Sequence, residues 1–225
     1  MHRSLRHYFC FTVLFALWVA ALGTACGVDD GLPAAGVDCA DLSPLPAIVS
    51  DIDETLTTSD NELLLQIVEP EHVQAQRPGA VALIQGFYDR GYQILYLSAR
   101  YEDLALLDGT LAREFTETWL VDQGFPMDSE RTRLVLATEP NSGAETAAYK
   151  RGALEDLIAQ GWDFSFAFGN ADTDIQAYQE AGLAVDHTYI IGDRAGEGGT
   201  VAVAGEGWTD LITMLLDPQG RVCDF

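Results

Sequence analysis

Asp51-Ile52-Asp53-Glu54-Thr55 sets two carboxylates two residues apart. In an extended segment that spacing turns both to one side of the chain. Two carboxylates so placed can divide the labour of group transfer. One attacks the electrophilic centre; the other gives a proton to the leaving oxygen and later takes one from water. Adjacent anions repel each other and an anionic substrate, so the pair calls for a hard cation held by oxygen ligands. Alone, the pattern also fits an acidic turn or a calcium loop.

Three further segments carry complementary groups. Leu97-Ser98-Ala99-Arg100 ends an apolar run, where the Ser98 hydroxyl can bond a phosphoryl oxygen or cap a helix. Lys150 is the only lysine in the chain. A lone ammonium suits neutralisation of a carboxylate nucleophile and a phosphoryl group, or it is a solvated helix residue. In Ala167-Phe168-Gly169-Asn170-Ala171-Asp172-Thr173-Asp174 an apolar run empties into Gly-Asn and a helical pattern follows. Asn170 offers an amide oxygen to a metal, and Asp174 lies one helical turn on. The plainer alternative is a Gly-Asn turn with Asp172 or Thr173 capping the helix. Asp193 and Glu197 in the glycine-rich stretch after Ile191 form a rival acid pair, with a poorer helix behind it. His72 and His187 show no ligand spacing and read as structural residues, and Trp119, Trp162 and Trp208 read as core.

These groups need elements to position them. Apolar runs of strand length at 46–50, 92–97, 133–137, 164–168, 188–191 and 200–204 alternate with helical patterns at 79–90, 103–123, 145–160, 173–181 and 207–216. Such alternation predicts an α/β fold with a doubly wound, Rossmann-like parallel sheet and helices on both faces. The site then lies at the carboxyl ends of the strands. Only about residues 57–76 remain to form a flap, so little or no cap domain is expected.

Four modest signals in this order resemble the haloacid dehalogenase-like phosphatase superfamily over residues 46–204. Within it, DIDET at 51–55, RPGA at 77–80, GYQILYLSAR at 91–100, FGNADTDIQAYQEAGL at 168–183 and TYIIGDR at 188–194 are similar to the lipin-type phosphatidate phosphatase catalytic domain. They are similar also to the related domain of Nir-type phosphatidylinositol-transfer proteins. The resemblance implies Asp51 as nucleophile and metal ligand, and Asp53 as acid/base whose backbone carbonyl meets the metal. It implies Lys150 as the catalytic orienting lysine and Ser98, with Ala99 and Arg100 beside it, as substrate-binding. It implies Mg²⁺ as cofactor, with Asp51, Asp53, Asn170 and Asp174 as the metal-site residues and Asp174 the supporting acid. Glu54 departs from the lipin pattern, which has glycine there; Asp-Glu-Thr is similar to secreted acid phosphatases of the same superfamily.

Composition narrows the partners. With 12 Lys+Arg against 35 Asp+Glu, the net charge of −23 disfavours nucleic acid and anionic surfaces. Arg3 and Arg6 precede an apolar run from Tyr8 to Leu22, too short for a comfortable membrane span, and residues 1–25 read as a signal peptide. Gly23-Thr24-Ala25-Cys26 resembles a bacterial lipoprotein signal, implying export to the periplasm or cell envelope with a lipid anchor on Cys26 as membrane contact; the alternative is ordinary cleavage near Ala25 and secretion. Loss of residues 1–25 removes Arg3 and Arg6 and no acid, moving −23 to −25. Residues 26–44 read as a flexible tether and 45–225 as the catalytic domain. Cys39 and Cys223 are then a leftover even pair in an oxidising compartment, able to staple the domain's two ends. Three functions fit: a phosphomonoesterase of the lipin-like branch acting on phosphatidate, an acid-phosphatase-like scavenger of small phosphate esters, and a non-catalytic phosphatidate-binding module. A complete Asp51, Asp53, Ser98 and Lys150 set argues against the third, since a binding module needs no acid/base.

Overall fold

The computed structural model describes residues 38–223. The signal segment, Cys26 and the first part of the 26–44 tether lie outside the described residues. Six strands form one all-parallel sheet: β1 (Leu45–Ser50), β2 (Gln93–Tyr101), β3 (Thr132–Ala137), β4 (Trp162–Gly169), β5 (Thr188–Ile191) and β6 (Val201–Val203), in the order β3-β2-β1-β4-β5-β6. Six helices accompany them: α1 (Asn61–Val68), α2 (Ala80–Tyr88), α3 (Ala112–Gln123), α4 (Ala144–Ala159), α5 (Asp172–Glu180) and α6 (Thr209–Leu216). The expected α/β, doubly wound sheet is therefore what this chain forms.

Strand periodicity divides the interior in two. Ile48, Ile94 and Tyr96 point to a core shared with Leu83 and Phe87 of α2, Trp119 of α3 and Leu215 of α6. Ala47, Val49, Leu95 and Leu97 point to the other face, packed with Leu154 and Leu157 of α4 and Tyr178 of α5. Both faces are covered, which is why these strands read as continuous apolar runs. In β4 the alternation slips. Ala47 pairs with Phe164 but Ile48 pairs with Phe166, so Ser165 is an extra residue. Phe164 thus joins one core while Phe166 and Phe168 join the other.

Three departures from the expected elements bear on the site. β2 continues to Tyr101, because Tyr101 pairs with Ala137 beyond a register shift after Ser98. The helix expected over 103–123 begins only at Ala112. Asp108-Gly109 makes a turn first: Gly109 has φ +91 and the Asp108 side chain accepts the Thr110 N–H at 2.9 Å. Within the expected flap, α1 packs Leu63 and Ile67 on a small third cluster of Leu106, Ala112 and Phe115.

At the amino ends of the strands, Cys39 and Cys223 are joined by a disulfide across 184 residues. Cys39 belongs to a single 3-10 turn, Cys39–Asp41, inside the segment expected to be a tether. Val222 N–H donates to Arg90 O at 2.7 Å, so the chain's last described residues lie against the turn before β2. That turn holds Gly91 at φ +97, and a Cβ there would come within 2.7 Å of Cys223 Sγ.

Candidate active site

β1 and β4 are neighbours although β2 and β3 separate them in sequence, so their carboxyl ends form the switch point of the sheet. Asp51 follows β1 directly, and its N–H donates to Phe168 O of β4 at 3.0 Å. Its side chain is 4% exposed as a residue and both oxygens are engaged. Oδ1 accepts from Lys150 Nζ at 2.5 Å, and Oδ2 accepts from Thr55 Oγ1 at 3.0 Å. Lys150 comes from α4 and is likewise buried. Its second partner is Asp174 Oδ1 of α5, at 2.6 Å. Packing of α4 against α5 brings this pair together.

Asp174 is fully buried. Besides Lys150 it accepts the N–H groups of Asn170 and Ala171, both at 3.0 Å on Oδ2. It therefore holds the Gly169-Asn170 turn and reaches Asp51 through Lys150. Gly169 is required there, because a Cβ would stand 2.7 Å from Asp174 Cβ.

Asp53 has different neighbours. Arg100 Nε lies 3.2 Å and 3.0 Å from its two oxygens, Arg100 Nη2 lies 2.8 Å from Oδ1, and Ser98 Oγ donates to Oδ2 at 3.1 Å. The guanidinium also donates to Thr116 Oγ1 at 2.9 Å and Gln74 Oε1 at 2.7 Å. Gln74 in turn donates to Gln66 of α1 at 2.6 Å. Ser98 and Arg100 thus meet Asp53 itself, while Ala99 and Arg100 line the cavity in front of it.

The two aspartates titrate in opposite directions. Burial pushes the Asp51 carboxyl up to about 7; Lys150 opposes this, and the charges of Asp174 and Asp53 add to it. Burial would raise Asp53 too, but the Arg100 guanidinium and the Ser98 hydroxyl outweigh it and hold the carboxyl below the usual range. Lys150 loses solvation by burial, yet Asp174 and Asp51 raise its pKa well above the ordinary lysine value. The separation follows from one cation shared by two acids around Asp51 and one guanidinium given largely to Asp53.

Glu54, between these centres and Thr55, has φ +55, the left-handed region where glycine is favoured. A side chain there costs about 1–2 kcal/mol. Four bonds hold it: its N–H donates to Thr57 Oγ1 at 3.0 Å, its carbonyl accepts Arg77 Nε at 2.7 Å, and its carboxylate accepts Asp60 N–H at 3.3 Å and Asn170 Nδ2 at 3.0 Å. Trp208 Nε1 fastens the next carbonyl, Thr55 O, at 2.9 Å. Motif spacing singled out Asp51, Asp53, Lys150, Asn170 and Asp174 but not the parts of Thr55, Gln74 or Arg77. The RPGA segment was the one signal available for Arg77.

The cavity at these strand ends is about 470 Å³ and open to solvent. Leu63 and Leu64 of α1 line it together with Lys150, Thr146 and Asn170. Leu64 is 59% exposed, and Leu65, Val68 and Leu107 add exposed apolar surface. A second cavity of about 330 Å³ lies on the far side of Asn170, bounded by Arg77, Asp172, Asp193 and Arg194. Asp193 therefore flanks the site, while its rival-motif partner Glu197 pairs with Arg194 at 3.3 Å. His72 pairs with Glu62 at 2.8 Å and His187 stacks on Phe166 at 5.1 Å between ring centres; Trp119, Trp162 and Trp208 are buried.

Among the described residues, no group of three or more His, Cys, Asp or Glu side chains is gathered as a metal site. The donors at the switch point are of a different kind: the Asp51 carboxylate, the Asp53 backbone and the Asn170 amide oxygen. Their all-oxygen character suits a hard divalent cation. The charges agree: Asp51, Asp53, Glu54 and Asp174 stand against Lys150 and Arg100, leaving two negative charges. The Asp174 and Asp53 charges add to the burial that raises the Asp51 carboxyl, against Lys150.

The sequence model of the LNS2 domain of PITM 1-3 (LNS2_PITM1-3) matches residues 48–192, from β1 to the turn after β5. Comparison with curated proteins found no match. Among solved structures, a putative HAD-like phosphatase from Mesorhizobium loti is similar at 16% identity and TM-score 0.53, over 79% of this chain and 89% of that one. D,D-heptose 1.7-bisphosphate phosphatase from B. bronchiseptica, in complex with magnesium and phosphate, is similar at 16% identity and TM-score 0.53, over 77% of this chain and 99% of that one. Both likenesses are of fold. The chain belongs to the LNS2 domain family and adopts the haloacid dehalogenase-like fold.

Proposed function

We propose that this protein is an exported phosphomonoesterase that works through an aspartyl phosphate on Asp51, with Asp53 as general acid/base and Mg²⁺ as cofactor. The observation that carries this reading is the buried Asp51–Lys150–Asp174 chain at the switch point, 2.5 Å and 2.6 Å at its two links. Asp51 supplies a carboxylate oxygen that bonds to phosphorus as the bond to the leaving oxygen breaks. Asp53, whose carboxyl Arg100 and Ser98 hold below its ordinary pKa in the resting protein, takes a proton from solvent as the phosphate binds and gives it to the leaving oxygen. Water then attacks the aspartyl phosphate, Asp53 takes the water's proton, and inorganic phosphate departs with Asp51 restored. Lys150 and the N–H groups at the strand ends are fixed in place before charge develops. Asp51, the Asp53 carbonyl and Asn170 would hold the cation, which neutralises phosphoryl oxygens and the nucleophile.

Phosphatidate is the leading substrate, supported by the apolar lining that Leu63 and Leu64 give the cavity and by the exposed Leu65 and Val68 on the same helix. A second reading, soluble phosphate esters, is favoured by the −25 charge expected after loss of residues 1–25, which repels anionic lipid surfaces. Turnover on phosphatidate in mixed micelles is compared with a soluble monoester across salt concentrations. Faster turnover of phosphatidate, more so as salt screens the surface, supports the lipid reading; preference for the soluble ester at every salt concentration sinks it. Release of no phosphate from any monoester with Mg²⁺ present would leave a phosphatidate-binding module. The leader at 1–25 and Cys26 support export as a lipoprotein. Cys26→Ser should move the protein from membrane to soluble fractions, and unchanged fractionation removes the anchor. Among the described residues no helix is long and apolar enough to cross a membrane.

A further inference from the structure

Asn170 differs from a carboxylate in a way that matters to a cation: one of its two terminal atoms accepts and the other only donates. As a ligand the amide has to be turned with Oδ1 toward Asp51. The contacts around it fix that turn. Nδ2 donates to Glu54 Oε2 at 3.0 Å, and an ionised carboxylate accepts but never donates. Oδ1 faces the Thr55 hydroxyl at 3.1 Å, whose single proton it shares with Asp51 Oδ2 at 3.0 Å. With the amide reversed, Oδ1 would face the Glu54 carboxylate across a hydrogen-bond distance with no proton between them.

Glu54 is in turn held rigidly. Its backbone sits at φ +55, between the Thr57 hydroxyl on its N–H and the Arg77 guanidinium on its carbonyl. Its second carboxylate oxygen accepts the Asp60 N–H. A glycine would relieve the backbone but leave the back of Asn170 without an acceptor.

We propose that Glu54 is a positioning residue: its carboxylate orients the Asn170 amide so that Oδ1 is presented to a divalent cation beside Asp51. This deepens the proposed function and rests on the cation site of that reading.

The test is Mg²⁺ titration of the purified protein by calorimetry, without substrate. Glu54→Gly should raise the Mg²⁺ dissociation constant about 10-fold or more, the usual scale for losing a partner that orients a ligand. Its thermal midpoint should not fall, because the left-handed backbone is relieved. Glu54→Gln should stay close to wild type, since its Oε1 can accept the same bond. The discriminating pair is Asn170→Asp with and without Glu54→Gly. The carboxylate introduced by Asn170→Asp has two equivalent oxygens and needs no orienting. Glu54→Gly should therefore weaken binding in the wild-type background and not in the Asn170→Asp background. If Glu54 acted only as a nearby negative charge, the loss would be equal in both backgrounds, and that result overturns the proposal. So does an unchanged Glu54→Gly protein, or a wild type that binds no Mg²⁺. A wild type that binds Mg²⁺ but hydrolyses no phosphate ester overturns the proposed activity alone and leaves this comparison decisive.

Discussion

The two ends of the sheet are built on opposite physical plans. At the amino ends of the strands, the disulfide, the aromatic contacts of Phe87 with Tyr92 and Phe166, and the last described residues hold the fold together. At the carboxyl ends the same sheet buries Asp51, Asp174 and Lys150. Charges buried in this way contribute little net stability against well-packed apolar groups, but losing one partner leaves the rest uncompensated. The contrast predicts that stability and chemistry are separable here. Substitutions at one end should change unfolding and spare turnover; isosteric substitutions at the other should do the reverse.

The largest expected effect is on turnover. Asp51→Asn should abolish measurable phosphate release, since an amide does not act as the nucleophile, while circular dichroism and thermal midpoint stay near wild type. Asp53→Asn should lower kcat by about 10²–10⁴-fold, the range for loss of a general acid/base. Wild-type turnover by folded Asp51→Asn would end the nucleophile assignment.

Next in size is the disulfide. Closing a 184-residue separation restricts the unfolded chain by about 5 kcal/mol in the loop-entropy account. Cys39→Ser with Cys223→Ser should lower the thermal midpoint by about 10–15 °C and leave kcat at 20–25 °C unchanged. A matching loss of kcat in the folded double variant would break the separation of the two ends.

How far each end was legible follows from the same contrast. The candidate residues were legible because chemistry demands particular side chains at strand ends: Asp51, Asp53, Lys150, Asn170 and Asp174 stand out by type and position, and the fold brings them to one cavity. The Cys39–Cys223 pair stood out by arithmetic. Less legible was anything decided by contact between segments. Arg100 follows Ser98 by two residues, yet nothing in LSAR says that its guanidinium bonds Asp53, Thr116 and Gln74. The extra residue at Ser165 that re-aims Phe166 depends on pairing with β1. The departure from glycine at Glu54 was visible, but its φ of +55 and its bond to Asn170 were not. α1 was missed although Leu63 and Ile67 are four residues apart behind an acidic start, a pattern that marks a short amphipathic helix.

Lys150 tests whether the separation has an exception. It is a group of the site whose removal leaves Asp51 and Asp174 buried without their cation. Lys150→Met should therefore lose activity and also destabilise by about 3–5 kcal/mol, read by urea unfolding. Asp174→Asn should be destabilising alone. Combined with Lys150→Met it should cost less than the sum, because Asp174→Asn removes one of the two charges that Lys150→Met leaves without a cation. Additive costs would mean that the 2.6 Å contact carries no coupling, and the carboxyl end would then be as separable as the first comparison states.

The smallest effect belongs to the amino end and is read in pH. Asp128, in the turn before β3, accepts Tyr88 O–H at 2.6 Å and the N–H groups of Glu130 and Arg131 at 2.7 Å and 2.6 Å. Partial burial would raise its carboxyl, but these donors outweigh it and hold the pKa below the ordinary value. A carboxyl depressed in the folded state adds stability above its unfolded pKa of about 4, and that stability disappears as pH falls through the lower folded value. Solvent around the exposed part of the group screens the interaction, so the contribution should be under about 1 kcal/mol at neutral pH. Asp128→Asn removes the titration and keeps the shape. The difference in unfolding free energy between wild type and Asp128→Asn should be constant from pH 7 to pH 5, then shrink toward pH 3, with kcat at pH 7 unchanged. A difference that holds steady down to pH 3 would show that the Tyr88 and backbone bonds do not favour the ionised carboxylate over its protonated form.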